Sequence, residues 1–362
     1  MPPPANCRDP LRGRVLGLAG ILGAALVLVV GAPAWAAGPA AARATHPTAP
    51  SSGTPAAMQR CQVTDPRLAE LSGLVVIGQR MLAMNDGGDH VAVYLLDERC
   101  RIVEVHAAAV DPYDPEDLAV GADRTVWLSD TGDNRHTRAT VALIALHPDG
   151  STGVYRLTYP DGPHDAEALL LAPDGTPYIV TKEVLGSSGV YRPLKPLEKG
   201  ATVGLGKVST VHVTLTGTPG GPVGPAGQLM VIGGAVSPDG RSMALRTYTD
   251  AYVWPLSGSD VVGALTTPPV RIALPPSPQG EAISFSADGR HLVVASEGLP
   301  SAVTVVPVPA RPAAVPATAP ERAAVGLTDF TRSGLSPITS AAIAAILAAV
   351  LVWIGGKLRR RP

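Results

Sequence analysis

The run Glu281-Ala-Ile-Ser-Phe-Ser-Ala-Asp-Gly-Arg-His-Leu-Val-Val-Ala-Ser-Glu297 decides the fold. Two short apolar segments flank Asp288-Gly289, and Asp-Gly between apolar runs is a strong hairpin signal because the turn needs positive φ. Four other stretches repeat the design: Ser72–Asp86, Glu116–Asp130, Glu167–Lys182 and Gly234–Tyr248. Their apolar landmarks Leu74, Leu118, Leu169, Val236 and Ile283 are spaced by 44, 51, 67 and 47 residues. Further strand-like runs follow each hairpin, such as Val91–Leu96 with Arg101–Val105, and Thr140–Leu146 with Val154–Tyr159. Four strands in each unit of roughly 40–50 residues is the signature of a β-propeller. The expectation is therefore an all-β chain, a β-propeller of five four-stranded blades. A sixth, degenerate blade around Val203–Met230 is the alternative, and a β-sandwich the structural runner-up. The longest gap holds Thr216–Gly227, a Gly/Pro-rich insertion without a pairing partner. The last unit carries three strands, so Gln62-Val63 is expected to supply its fourth and close the ring.

Composition agrees. The 362 residues include 39 Gly and 37 Pro, too many breakers for a helical protein. Arg greatly outnumbers Lys, and with abundant Ala, Gly and Pro this is the usage of a GC-rich, actinobacterial type of genome. At the start, Arg8, Arg12 and Arg14 precede an apolar run, Val15–Val30, and then Ala34-Trp35-Ala36. That is the layout of a secretory signal peptide over residues 1–36, cleaved after Ala36. Near the other end, 338–356 is an uncharged apolar segment followed by Lys357, Arg359, Arg360 and Arg361. Its length suits one transmembrane helix, and the basic tail, 357–362, is expected to stay cytoplasmic. Between the ends lie a linker (37–59), the propeller (60–306) and a Pro/Ala-rich stalk (307–337). The expected product is a single-pass cell-membrane protein with an extracytoplasmic propeller. Cys7 falls in the signal, and two Cys in an exported domain usually pair, so Cys61 and Cys100 are expected to form a disulfide. Subtracting the basic ends from the net charge of −1 leaves −7 on residues 15–356, which argues against nucleic acid and suits cations.

Hairpin geometry indicates where chemistry can gather. The start of each first strand lies beside the end of its second. Ser72, Glu116, Glu167, Gly234 and Glu281 should therefore crowd one channel mouth with Asp86, Asp130, Lys182, Tyr248 and Glu297. Flanking them are Asn85, Asp89, Asp117, Asp133, Asn134, His164, Asp165, Arg246 and Asp250. Asn85-Asp-Gly-Gly-Asp89 and Asp130-Thr-Gly-Asp-Asn134 each present oxygen donors on a glycine-bent loop, the donor type calcium takes. Asx turns are the structural alternative. The candidate metal set is Asp86, Asp89, Glu116, Asp130 and Asp133, with Ca2+ as the cofactor. The candidate acid/base set is Glu116, His164, Glu167, Lys182 and Glu281, with Glu167 and Lys182 read as a salt bridge. No Gly-x-Ser-x-Gly elbow, GxGxxG or Walker A motif is present, so a serine-hydrolase or nucleotide reading has nothing to rest on.

Six segments carry a resemblance across about 60–300. They are Glu70-Leu-Ser-Gly-Leu74, Asn85-Asp-Gly-Gly-Asp89, Pro115-Glu-Asp-Leu118, Asp130-Thr-Gly-Asp-Asn-Arg135, Tyr159-Pro-Asp-Gly-Pro-His-Asp-Ala-Glu-Ala168 and Gln279-Gly-Glu-Ala-Ile283. Together they resemble a family of exported, membrane-anchored actinobacterial β-propellers without a settled activity. More distantly, the Glu-Ala/Gly-Leu strand starts are similar to calcium-using propeller hydrolases of the esterase-like phytase and gluconolactonase groups. No full ligand set of those enzymes maps onto this chain. Two functions stay open. One is an extracytoplasmic binding or scaffold module for an envelope protein, glycan or small molecule. The other is a metal-dependent hydrolase of phosphate esters or lactones, with Glu116, Asp130, Glu167 and Glu281 as ligands or bases.

Overall fold

A computed structural model describes residues 56–309. The expected signal peptide, transmembrane segment and basic tail, with most of the linker and stalk, lie outside the described residues. No helix of the described part is long and apolar enough to cross a membrane.

The regular structure of the described chain is nearly all strand, apart from one short helix (Val261–Leu265) and two single 3-10 turns. β1 (Met58–Val63) comes first, followed by the hairpins β2 (Leu71–Ile77), β3 (Arg80–Asn85), β4 (Val91–Leu96) and β5 (Ile102–Ala108). Next come β6 (Pro115–Val120), β7 (Val126–Asp130), β8 (Val141–Leu146) and β9 (Thr152–Thr158). They are followed by β10 (Ala166–Leu171), β11 (Pro177–Thr181), β12 (Ser187–Pro193) and β13 (Thr202–His212). β14 (Val231–Val236), β15 (Ser242–Thr247), β16 (Asp250–Pro255) and β17 (Val270–Ala273) precede β18 (Gln279–Phe285), β19 (His291–Glu297) and β20 (Ser301–Pro307). Within each group the strands pair antiparallel in chain order. β9 and β13, outer strands of neighbouring groups, also meet in a short parallel pairing that merges two groups into one eight-stranded sheet. The first strands neighbour one another in a closed cycle, β2–β6–β10–β14–β18 and back to β2. A ring of radially arranged antiparallel sheets is a β-propeller.

Closure is as the missing strand implied. β1 pairs with β20, Gln62 opposite Ala302 and Val63 opposite Ser301, so the chain's start completes its last sheet. The Cys61–Cys100 disulfide ties that strand to the β4–β5 turn of the next sheet, with Cα atoms 5.8 Å apart. The seam between first and last sheets is thus held by pairing, packing and a covalent bond.

The core lies between neighbouring sheets, because each side chain of a packed strand faces one neighbour or the other. Leu82, Met84 and Val93 meet Leu118, Leu128 and Ile144 at one interface. Leu170 and Tyr178 meet Met243 and Trp254 at another. Each such Leu removed from water contributes about 1.5–3 kcal/mol.

Two details differ from the sequence expectation. The Asp-Gly turns are longer than two residues: Gly289 N donates to Ser286 O and Ser286 N to His291 O, with Gly289 at φ +69°. Asp288 Oδ1 accepts from Arg290 N, so the aspartate holds a type I-like turn and glycine takes the left-handed position after it. The fourth inner strand also begins earlier, at Val231, so Gly234 lies within it rather than at its start. Its glycines are required by close approach. A Cβ at Gly233 would stand 2.7 Å from Glu281 O, and one at Gly234 would stand 3.1 Å from Leu169 O.

The 216–227 insertion forms no strand but is firmly tied. Gln228 Oε1 accepts from Thr216 N and Gly217 N, and fully buried Asp250 accepts from Thr216, Thr218, Thr249 and Arg271. Its glycines press on Tyr248, with Gly227 leaving room for a Cβ only 3.2 Å from the ring. The insertion therefore walls the channel mouth beside Tyr248. Val203 belongs to β13, the outer strand of the third group.

Candidate functional site

Every inner hairpin has a register irregularity near its first residues. The shift falls between Leu71 and Gly73, Pro115 and Asp117, Ala166 and Ala168, Val231 and Gly233, and Gly280 and Ile283. The residues it leaves unpaired are Ser72, Glu116, Glu167, Ile232 and the pair Glu281-Ala282. A β-bulge re-aims its extra side chain. Here it brings three glutamates of the repeat to the channel mouth. Ile232, in the fourth repeat, supplies none.

The densest point is carboxylate-rich. Ligand oxygens of Glu116, Asp165 and Glu167 all lie within 4.8 Å of one another, and all three residues are buried. Lys182 Nζ contacts Glu167 Oε1 and stands 3.7 Å from Asp165 Oδ2, so the expected Glu167–Lys182 pair is present. Asp165 also accepts from Asp133 N at 2.8 Å. Glu116 is different. It is only 5% exposed, yet its carboxyl has no hydrogen-bond donor or cationic partner among the described residues. Burial, then the charges of Glu167 and Asp114, push the Glu116 carboxyl well above the usual range. Burial likewise pushes Glu167 up to about 8, opposed by the Lys182 ammonium.

A second acidic group faces it across the mouth. Glu297 is pushed up to about 9 by burial and by Glu281, with hydrogen bonds linking it to Glu281 and Asp86. Asp86 is raised to about 6 by burial, then by the charges of Glu281 and Glu70. Gln279 Nε2 donates to Glu281 Oε1 at 3.1 Å. Asp114, near Asp165 and Arg138, is also raised to about 6, burial first.

The other singled-out residues separate from this centre. Asp130 accepts from Tyr113 N and Asp114 N and pairs with Arg138 at 3.0 Å. Asp133 accepts from Thr137 N and Arg138 N, closing the turn after β7. These oxygens hold loops. Asp89 is fully out in solvent, bonded to His90. His164 lies on the shoulder of the mouth, 3.0 Å from Asp161 Oδ1 and 3.1 Å from Tyr191 Oη, stacked edge-on against Tyr159. Asp165, Asp114 and Glu297 are the mouth residues absent from both candidate sets. Asp165 and Glu297 stood among the strand-end and flanking positions, whereas Asp114 carried no repeat signal.

Beneath the mouth, two buried charges bond to backbone. Asp117 accepts from Leu118 N (2.8 Å), Leu169 N (2.9 Å) and Gly234 N (3.0 Å), linking three inner strands across the channel. Burial pushes its carboxyl up to about 8 against those three donors, which favour the ionised form. Arg246 donates to Ala282 O at 2.7 Å, and to Thr247, Tyr248 and Ala295 carbonyls, and burial lowers it to about 10.

The donor set fits a hard cation. Oxygens sharing one calcium at 2.3–2.6 Å lie at most about 5 Å apart, and the three carboxylates meet that condition. Lys182 must then release Glu167 or remain beside the ion as charge balance.

No protein-family model matches the sequence, and no curated protein is significantly similar to it. Solved structures similar to it include a gluconolactonase from Xanthomonas campestris, 17% identical, covering 67% of this chain and 73% of that one with TM-score 0.38. A glucose dehydrogenase is 12% identical over 70% of this chain and all of that one, TM-score 0.39. The virginiamycin B lyase of Staphylococcus aureus is 12% identical over 68% of this chain and 69% of that one, TM-score 0.34. Gluconolactonase-type chains are thus among its structural neighbours, as the distant resemblance implied. At these scores no activity of this chain follows from them.

Proposed function

We propose that this chain is an extracytoplasmic binding module, a five-bladed propeller held at the cell membrane by its C-terminal segment, whose acidic mouth takes up a divalent cation. Glu116, Asp165 and Glu167 are the ligands, and calcium is the favoured ion because all donors are hard oxygens. The observation that carries the reading is Glu116. Its carboxyl has no donor or cation among the described residues and lies in a group of three carboxylates within 4.8 Å, so the like charges of Glu167 and its neighbours must be offset by a proton or a cation. When bound, the ion would supply positive charge at the mouth, which would attract an acidic or hydroxylated envelope ligand. The bulges aim the carboxylates, Asp117 pins their strands, and Tyr248 with its insertion walls one side.

The second reading, hydrolysis of phosphate esters or lactones, is favoured by one feature. Burial and the charge of Glu167 make the Glu116 carboxyl hold its proton more tightly than an ordinary glutamate, the direction a general acid requires. An esterase and phosphatase screen, with calcium and with chelator, separates the two readings. Turnover lost on chelation and in Glu116→Gln supports the hydrolase. Calcium binding without turnover on any ester or lactone supports the binding module.

A further inference from the structure

The channel has a second end, unlike the first. Below Asp117, whose carboxylate joins Leu169 N and Gly234 N across the axis, a cavity of about 780 Å3 opens between the β-turns of the inner hairpins. That volume lies within the usual range of ligand pockets, about 300–1,000 Å3. Its walls are apolar, with Val75, Val120, Val236 and Phe285, and the partly buried indole of Trp127 joins them. Asp123, Asp174 and Asp239 are its charged side chains, and no Lys, Arg or His lines it. Asp174 Oδ1 accepts from Thr176 N and Asp239 Oδ1 from Arg241 N, which fixes both carboxylates at the rim. Neither forms a salt bridge among the described residues.

The geometry points to a second ligand site here, for an organic cation with an apolar body, an alkyl- or arylammonium. Carboxylates held at the rim by their own turns, with no salt-bridge partner, attract the charge, and the apolar walls, Trp127 among them, take the hydrocarbon. A bare metal ion does not fit, because the three aspartates do not form a ligand cluster; among the described residues only Glu116, Asp165 and Glu167 do. The site is independent of the acidic mouth and of the function proposed for it.

The test uses the full chain in lipid nanodiscs, with empty nanodiscs as blank. Benzyltrimethylammonium and a neutral aryl alcohol of similar size are titrated by calorimetry and by tryptophan fluorescence. The ammonium should bind at least tenfold more tightly than the alcohol and change the tryptophan emission, a change that Trp127→Phe should remove although Trp35, Trp254 and Trp353 remain. Asp174→Asn with Asp239→Asn keeps the Oδ1 acceptors of both turns, so the fold should hold while the tenfold preference disappears. Ala287→Trp, which narrows the opening, should weaken both compounds. Glu116→Gln should change nothing here, so this site stands or falls separately from the mouth. Equal binding of ammonium and alcohol, a preference that survives the double Asn variant, or no saturable binding would each overturn the proposal. Melts of every variant identify any loss that comes from unfolding.

Discussion

Without metal, this protein should lose stability as pH rises from about 5 to 9, the reverse of most carboxylate-rich proteins. The cause is the mouth. Glu167 is pushed up to about 8 and Glu297 to about 9, both chiefly by burial. In the unfolded chain these groups release their protons near pH 4.5. A raised folded-state pKa means the native state holds more protons between those limits. Its stabilising contribution is complete below about pH 4.5 and is lost as pH climbs through 8 to 9. At pH 7 the native state holds nearly one extra proton on Glu167, worth about 1.4 kcal/mol per pH unit. Asp117, fully buried and raised to about 8, and Glu116, raised well above its usual range, add to the fall in the same sense. Glu297 is half-buried and solvent screening trims its share, so Glu167 and Glu297 alone give about 2 kcal/mol per unit. For a domain of this size, that is about 4–8 °C of melting temperature per pH unit. Thermal melts in chelator between pH 6 and 8.5, for the wild type and for Glu297→Gln, test it. The wild type should fall steadily and the variant more gently. A wild-type melting temperature that is flat or rising over that window would refute the reasoning.

Other outcomes follow from the same contacts. Asp130→Ala breaks a buried pair with Arg138 and two loop bonds, so it should cost about 3–5 kcal/mol in metal-free melts and leave any calcium increment intact. Replacing Cys61 and Cys100 by Ser should cost about 2–4 kcal/mol, with hydrogen exchange rising first in β1, whose seam the bond closes. Non-reducing peptide mapping should recover one Cys61–Cys100 cross-link, and two alkylatable thiols in unreduced protein would contradict it. Protease added to intact protoplasts should remove the propeller and spare the basic tail; protection of the propeller would contradict the topology.

The fold was legible because its signal is repeated. Asp-Gly turns in three units and equivalent turns at Gly78 and Asp123 in the other two, each between apolar runs, identify hairpins, and the three-strand last unit identifies the closing strand near Cys61. Where the repeat decays, the reading slipped. Gly234 replaced a landmark side chain because neighbouring backbones approach too closely for one, so the fourth strand was aligned two residues late. The site was legible only in part. Hairpin pairing placed Glu167 beside Lys182 correctly, since both are strand-end residues. It could not separate Glu116, which has no donor, from Asp130, whose oxygens are taken by Tyr113 N, Asp114 N and Arg138. That distinction depends on a bulge and on an arginine eight residues away, and neither has a one-residue signature. Asp165 gains its position from the loop before β10, outside the repeat.

The most direct test of the account is a calorimetric calcium titration of the full chain after chelation, beside Glu116→Gln. The account predicts saturable binding of one ion per chain, with proton release that grows as pH falls, because the ion displaces protons held at the mouth. It also predicts a rise in melting temperature corresponding to about 2.7 kcal/mol at a hundredfold excess over Kd. Glu116→Gln should lose most of that increment while its metal-free melt stays at or above that of the wild type, since the variant is neutral at every pH. Absence of calcium binding in the wild type, or an unchanged calcium response in Glu116→Gln, would contradict it.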